Sequence, residues 1–261
     1  MRSPLRLVHW KGGLALSLDG RCRLPACICR RRSANRLLIG CLGHHRGREG
    51  DGRLTLVPAS VSAVGQMEQH GTYPSWKGTN EHEGLAKADI DGDGIQDIIG
   101  GGLWFKYLGN DKFSYNVIDA AYTFSRSAAG QLVKNGRPEI VLVVGDGVAP
   151  MYMYEYQKNT WIRKEIVAQV RNSHSLAIVD FDGDGNNDIW YAEMTLGGYK
   201  DAVNRILFGD GKGNFDRDMI ISKGIDLHDS EIVDLDGDGD LDILGKPYDG
   251  DAPRLDIWLQ K

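Results

Sequence analysis

Beyond about residue 72 the apolar residues of this chain come in short bursts, each bounded by glycine, asparagine or acidic residues, and none keeps a helical period. Ser175–Val179, Ile140–Val144 and Ile189–Ala192 are such bursts, with β-branched and aromatic side chains that suit a pleated, half-buried surface. Glycine turns carrying an aromatic, FGDGKGNF at Phe208–Phe215 and more loosely YLGNDKF at Tyr107–Phe113, read as connections between strands. The pattern predicts an all-β fold built of hairpins.

The bursts are organised by a repeat. Ala88–Ile98 reads ADIDGDGIQDI, Val179–Ile189 reads VDFDGDGNNDI and Val233–Ile243 reads VDLDGDGDLDI. Between the first two lies a decayed copy, GQLVKNGRPEI at Gly130–Ile140, which keeps Gly136, Glu139 and Ile140 but has lost the aspartates. With Asp89, Gln131, Asp180 and Asp234 taken as equivalent, the periods are 42, 49 and 54 residues. Those lengths suit a four-stranded blade, so the expectation for residues 72–261 is a β-propeller of about four blades.

Within each intact copy, carboxylates stand at positions one, three, five and nine: Asp89, Asp91, Asp93 and Asp97; Asp180, Asp182, Asp184 and Asp188; Asp234, Asp236, Asp238 and Asp242. Glycines at positions four and six permit the tight curl that turns alternate side chains inward, and position seven (Ile95, Asn186, Asp240) is expected to add a main-chain carbonyl. Four carboxylates packed without a cation repel one another, and a hard oxygen cage of this kind selects calcium; up to three structural Ca2+ sites are expected. An EF-hand is excluded, because its bidentate glutamate at position twelve is replaced by Gly100, Tyr191 and Gly245, and β-rich stretches flank the loops.

Charge separates the remainder. Residues 1–53 carry twelve Lys or Arg against three Asp or Glu, leaving nineteen basic and thirty-three acidic residues beyond them. An acidic surface repels phosphate backbones, which argues against a nucleic-acid partner. All four cysteines, Cys22, Cys27, Cys29 and Cys41, lie in the basic stretch, and their spacing, even with His44 and His45, is not that of paired zinc ligands. Residues 1–71 are read as an arginine-rich disordered segment or a mispredicted start. No run is apolar and long enough to span a membrane. Met1–Gly20 is a poor secretion signal, yet weak calcium loops suit millimolar external calcium, so an extracellular or periplasmic location is expected.

These loops resemble those of the FG-GAP or VCBS repeat propellers, whose hallmark is DxDxDGxxD, and the resemblance covers roughly His82–Leu259. Members include integrin heads, adhesins, lectins, polysaccharide lyases and aldos-2-ulose dehydratase-like enzymes, so it implies a fold and not an activity. The stretches HEGLAKADIDGDG, NSHSLAIVDFDGDG and LHDSEIVDLDGDGDLDILGKPY look closest to the carbohydrate-processing members. That group usually has more blades; the chain therefore looks truncated, and an unclosed propeller is expected to self-associate.

A hairpin joined by the loop brings residues equally distant from it together. Six residues before position one stand Glu83, Ser125, His174 and His228, and Glu193 and Tyr248 fall at comparable distances past the loops. In propellers resembling this one the innermost strand starts at the central channel, so His82, Glu83, Arg126, His174, Glu193, His228, Lys246 and Tyr248 form the candidate catalytic cluster, with room for an additional divalent metal. An imidazole or tyrosine there removes a proton beside a carbonyl while Lys246, Arg126 or the metal stabilises the enolate, which is β-elimination on a sugar. The alternative is a non-enzymatic, calcium-dependent lectin or adhesin. Trp104, Tyr152, Tyr154 and Trp161 either stack on sugar rings or pack between blades.

Overall fold

The computed structural model describes residues 6–9, 83–109, 112–248 and 254–261. The chain divides into two units, Met1–Lys11 with His70–Lys261, and Gly12–Gln69. The second unit, with the four cysteines, His44 and His45, lies outside the described residues, and so does His82. Among the described residues of the first unit the chain forms four antiparallel sheets of four strands each, with a short 3-10 turn at Leu196–Gly198.

Blade one contains β2 (Ala86–Ala88), β3 (Asp97–Gly100), β4 (Leu103–Gly109) and β5 (Lys112–Val117). Blade two contains β6 (Ser125–Gly130), β7 (Glu139–Val144), β8 (Val148–Gln157) and β9 (Thr160–Arg171). Blade three contains β10 (Ser175–Val179), β11 (Asp188–Ala192), β12 (Val203–Phe208) and β13 (Arg217–Lys223). Blade four contains β14 (Asp229–Val233), β15 (Asp242–Lys246) and β16 (Asp256–Leu259), and takes its outer strand, β1 (Arg6–His9), from the N-terminal stretch that the charge pattern sets apart. The fold is thus the expected propeller-like succession of blades, with β2, β6, β10 and β14 neighbouring one another in turn.

The register explains why one sequence pattern serves every blade. Ala88 faces Asp97, Gly130 faces Glu139, Val179 faces Asp188 and Val233 faces Asp242, so the loop, intact or decayed, closes the inner hairpin each time. Side chains alternate along a strand. Position ten therefore faces the preceding blade and position eleven the following one: Ile140 packs with blade one and Val141 with blade three, while Ile189 packs with blade two and Trp190 with blade four. Apolar cores fill the contacts one–two, two–three and three–four; among the described residues none joins blade four to blade one. Consequently Ile140, Ile189 and Ile243 are 0%, 0% and 2% exposed, whereas Ile98 at the same repeat position is 37% exposed. Each such buried isoleucine contributes about 1.5–3 kcal/mol.

The aromatic candidates pack between blades. Trp104 meets Tyr156 and Trp161 edge-on at 4.9 and 5.9 Å, and the buried Tyr154 donates its hydroxyl to Asp119 at 2.8 Å.

Position nine is the keystone of each hairpin. Asp188 accepts from Phe181 N (2.8 Å) and Gly209 N (2.9 Å), Asp242 from Leu235 N (2.8 Å) and Gln260 N (2.9 Å), and Asp97 from Ile90 N (3.3 Å) and Tyr107 N (3.1 Å). The carboxylate pins the loop to the third strand or its end. In the decayed copy Glu139 accepts from Leu132 N (2.7 Å) and Val133 N (3.1 Å), one methylene longer and still buried. Burial, with a smaller contribution from Glu155, pushes its pKa above 4.5 against the pull of those amides. The fold thus holds the proton more tightly than the unfolded chain does, and stability falls as pH rises from about 4.5 upward. Glu139→Gln, which keeps an oxygen acceptor, is expected to remove this pH slope in denaturant titrations. Glu139→Ala strands two amides and is expected to cost about 2–4 kcal/mol near pH 4, and less as pH rises.

Candidate functional site

The acidic loops present carboxylates in two layers. Position one binds the loop's own amides: Asp89 accepts from Gly92, Asp93 and Gly94 at 2.8, 3.0 and 2.8 Å, Asp180 from Gly183, Asp184 and Gly185, and Asp234 from Gly237 and Gly239. The left-handed φ of +75° at Gly92 and +87° at Gly94 makes this curl accessible without a Cβ clash. Position five caps the amide of position seven, Asp93 on Ile95, Asp184 on Asn186 and Asp238 on Asp240.

Position three is left under-satisfied. Asp91 Oδ1 and Asp182 Oδ1 are buried with no hydrogen-bond partner. Carboxylate oxygens of Asp89, Asp91 and Asp93, of Asp180, Asp182 and Asp188, and of Asp234, Asp236 and Asp242 lie within 4.8 Å of one another in each loop. Burial, reinforced by Asp182 and Asp180, pushes Asp188 up to about 6. A basic side chain from later in the same blade reaches each cluster: Lys106 contacts Asp91 and, at 3.0 Å, Asp93; Arg217 contacts Asp182; Lys261 contacts Asp236. One cation per loop leaves an excess of negative charge, and orphaned acceptor oxygens of this kind fit a hard, oxygen-bound divalent ion.

At the opposite end of the inner hairpins a second cluster forms. Its members are Glu83 ahead of β2, His174 ahead of β10 and His228 ahead of β14, which offer ligand atoms within 4.8 Å of one another. The imidazole of His174 is 8% exposed and lies between two carboxylates. Its Nε2 is 3.1 Å from Asp146 Oδ1 in hydrogen-bond geometry. Its Nδ1 is 2.9 Å from Glu83 Oε2 but off the hydrogen-bond axis, so that nitrogen is buried without a hydrogen-bond partner. Phe124 closes against the His174 ring, the rings of His174 and His228 lie 4.9 Å apart, and Tyr248 stacks on His228 at 5.0 Å. Lys246 Nζ lies 3.2 Å from His228 Nδ1. Burial, then His174, then Lys246 hold the pKa of His228 below its ordinary value.

The structure sorts the sequence candidates. Glu83, His174, His228, Lys246 and Tyr248 come together. Arg126 touches the site indirectly: Nη1 donates to the Glu83 carbonyl at 2.7 Å, and its side chain lies where a Cβ on Gly84 would fall, so it positions Glu83. Glu193 stands elsewhere, its buried carboxylate taking Arg171 N (3.0 Å), Arg171 Nη2 (3.2 Å) and Val203 N (3.2 Å). The count past the loop was right about the register, since Ser175 faces Ala192 and Glu193 follows opposite His174, but the side chain turns to Arg171 of blade two. Asp146 escaped sequence reasoning because that count was not carried through the decayed repeat, where it ends on Gly145, one residue short. Gly145 itself must be small: a Cβ there would lie 2.6 Å from Glu83 Cγ.

Residues 180–245 match the FG-GAP-like repeat family, in agreement with the loop resemblance and covering blade three and the inner hairpin of blade four. No curated relative matches the chain. Among solved structures the chain is similar to an Agrocybe aegerita lectin that specifically recognises non-reducing terminal N-acetylglucosamine, at 20% identity and a TM-score of 0.32. That similarity covers 61% of this chain and spans 59% of the lectin's. Among the described residues no helix is long and apolar enough to cross a membrane.

Proposed function

We propose that this chain, built on FG-GAP-like repeats, is a calcium-loaded, extracellular or periplasmic propeller whose axial cluster binds a carbohydrate and carries out β-elimination on it. The observation that carries this reading is the convergence of Glu83, His174 and His228 from different blades around a buried, unpartnered imidazole nitrogen. Calcium in the three acidic loops is structural. The donor set at the axis, two imidazoles and a carboxylate, instead suits a zinc-like ion. Asp146 supports this, since a metal-ligating histidine typically gives its other N–H to a carboxylate, which leaves His174 Nδ1 free to ligate. A divalent ion bound there supplies positive charge for an enolate oxygen.

The remaining steps belong to the protein's own groups. The Tyr248 phenol is open to solvent beside His228, and Lys246 brings an ammonium to the same edge. Acting as the phenolate, Tyr248 Oη takes the proton next to a carbonyl or carboxylate of the sugar; a carbon–carbon double bond forms and the carbon–oxygen bond to the leaving group breaks. The departing oxygen takes that same proton from Oη, and Lys246 balances the negative charge in between.

Elimination leaves an unsaturated product, so acidic polysaccharides and anhydro-ketoses incubated with the protein are expected to gain ultraviolet absorbance at the enone band. Tyr248→Phe is expected to slow that gain by about 10²–10⁴-fold with an unchanged melting temperature. A flat trace from the wild-type protein, with glycan still bound on an array, would refute elimination and assign the axial face to a lectin or adhesin.

A further inference from the structure

A second polar site lies away from the axis. Between blade two and blade three is a cavity of about 340 Å³ lined by Gln169 and Arg171 of β9, Asp201, Arg205 of β12 and Lys223 of β13, with Glu193 at its base. That volume accommodates one hexose-sized ligand. Its two acids are already engaged by one guanidinium: Arg171 reaches Glu193 at 3.2 Å and Asp201 at 2.9 Å, and the latter contact holds the exposed Asp201 below its ordinary pKa.

The hydrogen-bonding capacity left over is weighted toward donors. Arg205 Nε is buried with no hydrogen-bond partner; Asp218 lies 3.4 Å away, outside hydrogen-bond geometry. The Lys223 main chain pairs with Val203, but among the described residues its Nζ has no side-chain hydrogen bond or ion pair, and its charge only pulls on Asp201. Arg205 and Lys223 bring two cationic side chains to one cavity whose own acids are paired with Arg171, and a carboxylate shared by the two is the acceptor that answers most of that charge. Gln169 and the outward side of Asp201 then offer an amide and a carboxylate to hydroxyl groups.

We infer that the cavity between blades two and three is a binding site for a carboxylated sugar of hexuronate size, distinct from the axial cluster and independent of its chemistry. The carboxylate is bound by Arg205 and Lys223, and the hydroxyls by Gln169 and Asp201. Arg171 pairs with the acids beneath and keeps them from repelling the ligand.

The test uses the full chain and methyl glucuronide as probe, with methyl glucoside, acetate and sulfate as comparisons, followed by calorimetry and by amide chemical shifts. Glucuronide is expected to shift amides of β9, β12 and β13 and to bind at least tenfold more tightly than glucoside. Lys223→Gln and Arg205→Gln are each expected to weaken it about tenfold, the equivalent of about 1.4 kcal/mol, with the melting temperature kept. Binding that survives both substitutions together overturns the proposal, as does acetate or sulfate binding as tightly as glucuronide, which would mark an anion site only. His228→Ala separates the two sites: glucuronide binding retained in that variant supports the proposal, and binding lost there but intact in Lys223→Gln places the ligand at the axis instead.

Discussion

Chelating calcium with excess EGTA is expected to lower the melting temperature of this protein by roughly 15–30 °C. At free calcium about 100 times the dissociation constant, each filled loop adds about 2.7 kcal/mol, and a domain of this size gains about 2–4 °C per kcal/mol. The physical source is the carboxylate excess in each loop. Without the ion, Asp91 Oδ1 and Asp182 Oδ1 are buried acceptors with no donor, and Asp188 is pushed up to about 6 by burial beside Asp182 and Asp180. Lys106, Arg217 and Lys261 neutralise part of this charge, which is why the chelated protein is expected to remain folded at low temperature rather than to collapse. Differential scanning calorimetry with and without chelator measures the shift; a melting curve indifferent to EGTA, with no heat of calcium uptake, would remove the metal from all three loops. Asp182→Asn in blade three is expected to abolish about a third of the shift.

The second large effect is at the axis. His174→Ala is expected to eliminate binding of one divalent transition ion, read as loss of the visible absorption band that cobalt acquires in a protein site, while the calcium-dependent melting shift stays intact. Asp146→Asn, which touches only the far nitrogen of His174, is expected to weaken that ion about 10–100-fold. Gly145→Ala would press a methyl group against Glu83 Cγ and is expected to act like a partial loss of Glu83. These readouts do not depend on turnover, so they separate the proposed metal centre from the proposed elimination. Wild-type protein that gives cobalt no band would dispose of the axial centre and leave the loops untouched.

The parts of the site legible in the sequence were those fixed by the hairpin. Glu83, His174 and His228 share an offset of six residues from position one, and a common offset in equivalent hairpins puts side chains at equivalent places, so their convergence followed from the repeat. Tyr248 followed from the count past the fourth loop, and Lys246, named with it, faces Asp229 across that hairpin. Arg126 stands one residue past that offset, which Ser125 occupies, and its role was not legible, since the contact with the Glu83 carbonyl crosses from blade two to blade one. Glu193 carries the right chemistry in the right stretch and faces Arg171 of the neighbouring blade instead of the axis. Asp146 belongs to the repeat whose aspartates have decayed, where the loop gave little to count from.

The sequence by itself determined the inner hairpins, the curl of the acidic loops and the alternation of faces, because all the groups that impose them lie within about a dozen residues of one another. Even the decayed copy obeys in part: Glu139 reaches the position-two amide, Leu132 N, that aspartate reaches elsewhere, and takes Val133 N of its own loop in place of the third-strand amide. Tertiary structure decided what each face meets. An isoleucine at position ten is buried in blades two, three and four, where a preceding blade covers it, and is 37% exposed at Ile98 in blade one. It decided in the same way that His174 stands between Asp146 and Glu83, since side chains from different blades come within hydrogen-bond reach only when the interblade cores have set the blades against one another.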